Sequence, residues 1–130
     1  MYATIGTVSP PQSSLTFLLD NSISGTYTPA SGQTAVIYHE ALWASPTLSE
    51  GEHTLVITQT AAQSQGVIFL DYILYNTTSA DVRSFFIDDR DPRVIYTPPW
   101  QMFGSSPDFQ HTSQGTTKAG DSLSLQFEGA

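Results

Sequence analysis

The sequence predicts an all-β fold, an antiparallel β-sandwich or jelly roll. Hydrophobic and polar residues alternate with a period of two in several short segments. Gly, Pro, Asn, Asp and Ser cluster between these segments, which places turns at intervals of roughly ten residues. Only 12% of the residues are charged, so Ser, Thr, Asn and Gln supply most of the polarity, as is common on exposed sheet faces.

Period-two alternation is clearest in three segments, SSLTFLLD, EHTLVITQT and DSLSLQFE. In the first of them, Leu15, Phe17 and Leu19 share one face of the predicted strand. The corresponding inward positions of the other two are His53, Leu55, Ile57, Leu123, Leu125 and Phe127. The segment VIFLDYILY is apolar on both faces, which predicts a central strand that is covered on both sides.

Four further segments, YATIGTV, TAVIYHE, FFIDD and RVIYT, complete the predicted strands. Breaker segments such as NSISG, TPASGQ and SQGTTKAG lie between strands as predicted turns. The segment EALWASP has room for one helical turn. The 130 residues are predicted to form a single domain, without internal repeats, that is large enough to bury a core of its own.

The charge distribution excludes one class of partner. The formal net charge is −8, and residues 1–82 contain six acids but no Lys or Arg. This region would repel the phosphate backbone of a nucleic acid, so no nucleic-acid partner is predicted. The chain has no run of about 18 apolar residues, so no membrane insertion is predicted either.

The residues themselves say little about the cellular compartment. No cysteine is present, so there is no disulfide framework, and no signal peptide is recognised. The sequon Asn76-Thr77-Thr78 is a weak indication of a secretory route, because such triplets often arise by chance in Thr-rich chains.

Five motifs of the chain resemble one family when they are taken together. IDDRDPRVIYTPPW resembles its opening segment, GTTKAGDSLSLQFEG its first Phe-x-Gly strand, and YATIGTV the strand that follows. LSEGEHTLVIT and FLDYILY resemble its last two strands, which carry Gly-x-His-Thr-Leu and Asp-Tyr. On this set the chain resembles the galactose-binding-like jelly-roll modules, similar to carbohydrate-binding modules, in extracellular regions of mushroom-forming fungi.

The order of the motifs is rotated relative to that family, which implies a circularly permuted module or adjoining parts of two tandem modules. Residues 1–75 resemble the C-terminal part of a module, residues 86–130 resemble the N-terminal part, and residues 76–85 are the predicted linker. In a closed monomer, which is the favoured form, strand 121–128 is expected to pair beside strand 2–8. The alternative is a domain-swapped dimer in which halves of two chains complement each other.

The acids of the IDDRDP segment are candidate metal ligands. Asp88 and Asp91 are predicted to hold a structural calcium ion, because hard cations take carboxylate oxygens. The alternative is a turn that begins at Asp91, with Arg90 and Arg93 compensating the acids. Asp88 and Asp89 are not expected to form a glycosidase pair, because adjacent strand residues point to opposite faces.

The remaining titratable residues are interpreted as structural. Asp71 lies inside an apolar strand, so its carboxylate must be bound by the backbone or by an Arg. His39, His53 and His111 are too far apart in sequence for a zinc motif, and His53 is predicted to be packed or hydrogen-bonded. No GxSxG elbow is present, so no nucleophilic triad is predicted.

Aromatic residues in loop-like segments are the candidate ligand-binding residues. Trp43, Tyr96 and Trp100 lie beside polar residues, and sugar sites combine an aromatic face with a few placed polar groups. The alternative is that Trp43 and Trp100 plug the open ends of the sandwich.

A polar loop follows Trp100 and supplies the other candidate ligand contacts. They are Asp108, Gln110 and His111, which the resemblance places in a variable loop of the module.

These observations predict a non-catalytic, extracellular or cell-surface module that binds a glycan or a cell-wall polysaccharide and needs no organic cofactor. The first alternative is a structural or protein-interaction module of a tandem cell-surface array that binds no sugar. The second alternative is an accessory domain of a glycoside hydrolase. Jelly rolls of this type occur in all these roles, so the fold alone does not choose among them.

Overall fold

The structure, a computed structural model, describes residues 1–6, 14–30, 32–60, 68–77 and 82–129. These residues form eleven β-strands and one short 3-10 turn and contain no α-helix, which confirms the all-β prediction. The strands are β1 (Tyr2–Ile5), β2 (Leu15–Leu19), β3 (Ile23–Tyr27), β4 (Ile37–Ala41), β5 (Gly51–Gln59), β6 (Ile68–Thr77), β7 (Arg83–Asp88), β8 (Val94–Thr97), β9 (Gln101–Phe103), β10 (Ser113–Gly115) and β11 (Ser122–Gly129). The 3-10 turn spans Phe109–His111, between β9 and β10.

The strands form two antiparallel sheets that pack as a sandwich. Sheet A has the order β4-β1-β6-β10-β9, and β7 pairs with the remaining length of β6. Sheet B has the order β3-β2-β5-β11-β8. The prediction that VIFLDYILY forms a central strand is confirmed, because β6 has neighbours on both edges.

The core lies between the sheets and is formed by the inward positions of the alternating strands. The inward positions predicted in β2, β5 and β11 are buried, apart from Phe127, which is half-buried. Each fully buried Leu, Ile or Phe side chain contributes about 1.5–3 kcal/mol to folding, so these strands supply much of the free energy that holds the two sheets together.

Three strands were not predicted, and each has a local reason. Strand β3 was missed because its segment is rich in breaker residues. Asp20 and Asn21, with φ of 51° and 56°, form a tight hairpin turn that returns the chain beside β2 as this strand. Strands β9 and β10 have only three residues each, too few for a period to be recognised. The segment EALWASP contains no helical turn, because β4 ends at Ala41 and an extended segment follows.

That extended segment, residues 42–50, is called the strap below. It leaves β4, at the edge of sheet A, and enters β5, at the centre of sheet B. The strap therefore crosses from one sheet to the other at one end of the sandwich.

One expectation that came from the rotated motif order differs from the structure. Strand β11 pairs with β5 and β8 in sheet B, whereas β1 pairs with β4 and β6 in sheet A, so the expected pairing of 121–128 with 2–8 is wrong. Strand β5 pairs with one edge of β11 over its whole length, and β8 takes the other edge along Ser122–Leu125. Within the predicted linker 76–85, the described residues lie in β6, in β7 and just before β7, and the two strands pair as a hairpin.

In the part of the chain that the structure describes, no helix has the length and apolar character needed to cross a membrane.

Candidate functional site

A cleft of about 530 Å³ opens at the end of the sandwich that the strap crosses. Both sheets and the strap line it, and its innermost lining residues are Leu19, Leu55 and Ile73 of the core. The strap adds Ser45 and Thr47, which are exposed. Protein ligand sites commonly have volumes of about 300–1,000 Å³ and combine apolar walls with a few polar groups, and the cleft meets both criteria.

Trp43 forms one wall of the cleft. Its indole stacks on Phe17 with ring centroids 5.2 Å apart and planes 13° apart, and it remains half-buried rather than buried. The indole lies directly over Gly25 of β3, where a Cβ atom would overlap the ring. A glycine is therefore needed at position 25 for the indole to take this place. The structure thus puts Trp43, a predicted ligand residue, at a concave surface beside hydroxyl groups.

Tyr75 and Phe127 form the opposite aromatic wall. Their ring centroids lie 5.0 Å apart, and Tyr75 also stacks on Phe85 at 5.1 Å. Gly129 approaches both rings so closely that a Cβ atom added to it would lie 3.3 Å from Tyr75, which means that this wall is tightly packed. Neither Tyr75 nor Phe127 was predicted as a ligand contact, because both occupy strand positions that are typical of core residues.

His53 anchors the end of the strap, and the prediction that it is hydrogen-bonded is confirmed. Its Nδ1 lies 2.7 Å from a carboxylate oxygen of Asp20, and its Nε2 lies 2.8 Å from the backbone oxygen of Ser49. Both partners are acceptors, so both ring nitrogens donate in the protonated imidazolium form. The hydrogen bond to Asp20, followed by that to Ser49, raises the pKa of His53. His53 thereby joins the strap to the β2–β3 turn.

The described residues that line the cleft include no Asp, Glu, Lys or Arg. Arg93 interacts with the hydroxyl of Tyr75. Its guanidinium is already engaged, because it donates two hydrogen bonds, of 2.9 and 2.8 Å, to the carboxylate of Asp91. Met1, another lining residue, carries the N-terminal amine, which donates a hydrogen bond of 3.0 Å to the backbone oxygen of Trp43. Burial lowers the pKa of this amine to about 6, so at pH 7 the cleft offers aromatic faces and mostly neutral polar groups.

Trp100 and Tyr96 pack together rather than at the cleft. Trp100 is 8% exposed and belongs to the core, as the plug alternative predicted. Tyr96 lies 5.2 Å from it and donates a hydrogen bond of 2.7 Å to the backbone oxygen of Asp89. Burial raises the pKa of Tyr96. Trp100, which is buried, is left out of the candidate site. Tyr96 is half-buried and does not line the cleft, so its predicted ligand contact stays a prediction.

Asp108, Gln110 and His111 lie around the 3-10 turn, away from the cleft. Asp108 is 5% exposed and accepts hydrogen bonds from the Thr4 hydroxyl and from the Ser105 amide and hydroxyl, so it organises the loop. Gln110 accepts a hydrogen bond from Arg90 at 3.0 Å. The Nδ1 of His111 lies 2.9 Å from the backbone oxygen of Ser106. Gln110 and His111 are exposed, so their predicted ligand contacts stay predictions.

Asp71 is fully buried and bound by the backbone, as the sequence predicted, but its second partner is a histidine. Its Oδ1 accepts a hydrogen bond of 2.7 Å from the Phe109 amide. His39 Nδ1 lies 2.9 Å from Oδ2, close enough to offset part of the cost of burying this carboxylate. Burial raises the pKa of Asp71, against the opposing effects of Phe109 and His39.

Three strained residues are His39, which contacts Asp71, and the two residues that follow Phe109, the amide donor to Asp71. His39, Gln110 and His111 have φ values of 55°, 51° and 63°, the left-handed region that non-glycine residues seldom occupy. His39 is at an irregularity of the β1–β4 pairing, and this irregularity directs its side chain to Asp71. No sequence spacing indicates the contact, because 32 positions separate the two residues.

The IDDRDP segment is a charge-compensated turn. Asp88 accepts a hydrogen bond of 3.0 Å from Arg90, and Asp91 is held by Arg93, which is the arrangement that the alternative to a cation site predicted. Among the described residues, no group of three or more His, Asp or Glu side chains is arranged to hold a metal ion.

Asp88 and Asp89 lie in contact, contrary to the alternation argument. Strand β7 ends at Asp88, so Asp89 belongs to the following turn and both carboxyls come together. Burial, followed by the charge of Asp88, raises the pKa of Asp89 to about 6. Asp88 Oδ1 and Asp89 Oδ2 have no donor within the described residues, and a proton shared between the two carboxyls would supply one. Asp89 is fully buried, so the pair does not face a cleft.

No family model, curated protein or solved structure matches this chain.

Proposed function

We propose that this β-sandwich is a non-catalytic module that binds a neutral carbohydrate in the cleft beneath the strap. The observation that carries the proposal is Trp43, a half-buried indole beside Ser45 and Thr47 in a cleft with a second aromatic wall. Sugar rings present C–H faces to aromatic rings and hydroxyl groups to hydrogen-bonding partners, which is the combination that this cleft contains.

The absence of charged side chains from the described lining residues selects the class of sugar. An anionic sugar such as a uronic acid would lose hydration in the cleft, where Met1 supplies an N-terminal amine whose pKa burial lowers to about 6, so that it is mostly uncharged at pH 7. Residues 1–82, which supply nearly all of the lining, also carry six acids and no Lys or Arg. A neutral hexose chain meets neither penalty, so neutral glycans are the proposed ligands.

We further propose an extracellular location and a permuted, galactose-binding-like module of fungal type. The support is the set of motifs from IDDRDPRVIYTPPW to FLDYILY, together with a two-sheet sandwich that is compatible with a jelly roll. On this proposal the ligand is a glycan or a polysaccharide of the cell wall.

The test is a glycan-array screen followed by calorimetry with wild type, Trp43→Ala and Trp100→Phe. Neutral glycans are expected to bind, Trp43→Ala to weaken binding at least tenfold, and Trp100→Phe, a control that changes the core, to leave affinity within about twofold. Gly25→Ala provides a second variant, because its methyl group displaces the indole without removing it. A blank array from folded protein, or equal affinity for uronic acid oligomers, contradicts the proposal.

The protein-interaction alternative has one specific observation in its favour. Of the described residues, ten large hydrophobic ones are notably exposed, and eight of these lie on or next to the edge strands of sheet A: Val36, Ile37, Tyr38, Val82, Phe85, Phe86, Met102 and Phe103. Apolar edge strands favour pairing with another chain. Size-exclusion chromatography with mass measurement tests this alternative, which expects dimers or mixed complexes that Ile37→Lys disrupts.

A further inference from the structure

The sequon residue Asn76 occupies a specific place on the outer face of sheet A. It lies near the end of β6, is exposed, and pairs across the strands with Ser84 of β7. The Ser84 hydroxyl donates a hydrogen bond of 2.7 Å to Asn76 Oδ1. Nδ2, the atom that would carry a glycan, donates no hydrogen bond to another described residue. The side-chain amide is therefore oriented by Oδ1 and leaves its nitrogen available.

An exposed aromatic ring lies beside this amide on the same face. Leu74 pairs with Phe86 and Asn76 with Ser84, so Asn76 and Phe86 are diagonal neighbours. Such neighbours are about 7–8 Å apart and lie within reach of long side chains. Phe86 is 52% exposed, although its ring stacks on Phe109 and contacts Tyr72. About half of its surface therefore remains open to water.

We propose that Asn76 carries an N-linked glycan whose first sugar packs on the ring of Phe86. The inference rests on the proposed extracellular location, because this modification occurs on proteins that enter the secretory pathway. Asn76 is also a lining residue of the cleft, so an attached glycan would lie beside the proposed sugar site, but the inference does not use sugar binding there. The attached sugar would cover the exposed ring and so reduce the apolar surface that sheet A presents to water.

The chemistry is a glycosyl transfer from a lipid-linked oligosaccharide diphosphate. A bond forms between Nδ2 of Asn76 and C1 of the first N-acetylglucosamine. The bond from C1 to the diphosphate breaks, the lipid diphosphate leaves with the electron pair, and the amide loses one proton. The transferase reads Asn-x-Ser/Thr, so the hydroxyl of Thr78 is required although it is not the acceptor.

The test begins with the intact mass of the chain, secreted from a eukaryotic host, before and after peptide-N-glycosidase. Wild type is expected to lose the mass of one glycan. Thr78→Ala keeps Asn76 but is expected to lack that mass, whereas Thr78→Ser, which preserves the sequon, should retain it. A wild-type chain secreted without a glycan overturns the proposal.

The packing on Phe86 is tested by the thermal unfolding midpoint with and without the glycan. We expect the glycan to raise the midpoint of wild type by about 2–4 °C. This difference is expected to vanish in Phe86→Ala and to persist in Phe85→Ala, a matched control on the neighbouring residue. An unchanged difference in Phe86→Ala overturns the packing. Sugar binding is measured on Thr78→Ala, because a glycan on Asn76 would obstruct the cleft that this residue lines. A Thr78→Ala protein that binds no sugar would contradict the proposed function while leaving this inference intact.

Discussion

The two outer faces of the sandwich differ in how they meet water. The outer face of sheet B is a regular surface of small polar and β-branched residues, where Thr16 pairs with Thr58 and Leu18 with Val56. On the outer face of sheet A, Tyr2 stacks on Tyr72 at 4.8 Å, and Phe109 of the 3-10 turn packs on Tyr72 at 5.5 Å. Sheet A is thus partly covered by its own loop.

This difference between the two faces shows where polar groups can be buried outside the core. Two acids are buried at the 3-10 turn, Asp71 of β6 at 0% and Asp108, which immediately precedes the turn, at 5% exposure. Each is bound by groups distant in sequence, Asp71 by Phe109 and Asp108 by Thr4. The described outer positions of sheet B instead need only water as a partner. Stability on face A therefore depends on specific contacts, whereas face B is tolerant.

The largest expected effect is at Asp71. Asp71→Ala leaves the Phe109 amide without its acceptor and opens a cavity, so we expect it to lower the free energy of unfolding by about 2–4 kcal/mol. Ser124→Ala on the outer face of sheet B is expected to change it by less than about 0.5 kcal/mol. Urea unfolding measures both. Asp71→Asn keeps an acceptor for the Phe109 amide, so its loss of unfolding free energy should be less than half that of Asp71→Ala. Equal losses in Asp71→Ala and Ser124→Ala would contradict the difference between the two faces.

The next effect compares two threonines on strands of opposite faces. Thr4→Val removes the hydroxyl that donates to buried Asp108, with an expected loss of about 1–3 kcal/mol. Thr58→Val, at the same kind of outward position in β5, is expected to lie within about 0.5 kcal/mol of wild type. If chemical denaturation shows the same cost for both, then the hydrogen bond to Asp108 contributes nothing beyond an ordinary surface contact.

The acid pair at the end of β7 predicts an unusual pH dependence. The pKa of Asp89 is raised to about 6 in the folded protein, so the folded state holds an extra proton between about pH 4 and pH 6. This contribution to stability is complete below about pH 4 and is lost as the pH rises through about 6. His53, whose pKa is also raised, acts with the same sign at higher pH.

Asp89→Asn isolates the contribution of the acid pair. Its amide can still accept from Thr112 and can donate to Asp88, without needing a proton. We expect it to raise the free energy of unfolding at pH 7 by about 1–2 kcal/mol and to have little effect at pH 4. Urea unfolding at pH 4 and at pH 7 measures both free energies. If Asp89→Asn is less stable than wild type at pH 7, then the ionised carboxylate of Asp89 is needed there.

The smallest expected effect concerns salt and the cleft. Because no charged side chain is among the described lining residues, affinity for a neutral glycan should change by less than about twofold between 0.05 and 0.5 M salt. Isothermal calorimetry at the two concentrations checks this. A strong salt dependence of the affinity would indicate that the glycan binds near charged residues, such as the turn that contains Asp88 and Arg90, and not in the cleft.

The sequence by itself determined the fold class, most of the strands and the composition of face B. Alternation in SSLTFLLD, EHTLVITQT and DSLSLQFE is a local property, and the hydrophobic effect converts it directly into an inward and an outward side. The burial of Asp71 and the hydrogen bonding of His53 also followed from local reasoning. A carboxylate among apolar residues must find a partner, although its partners could not be named.

Only the tertiary structure decided which strands pair, where the cleft opens and which groups surround the buried acids. The β11–β5 register, the strap over Gly25 and the contact of His39 with Asp71 join residues between 18 and 78 positions apart. No local pattern encodes such contacts, because they arise when the packing of two sheets brings distant segments together. For the same reason Trp43 and Trp100 looked alike in the sequence, and only packing made one a wall of the cleft and the other part of the core.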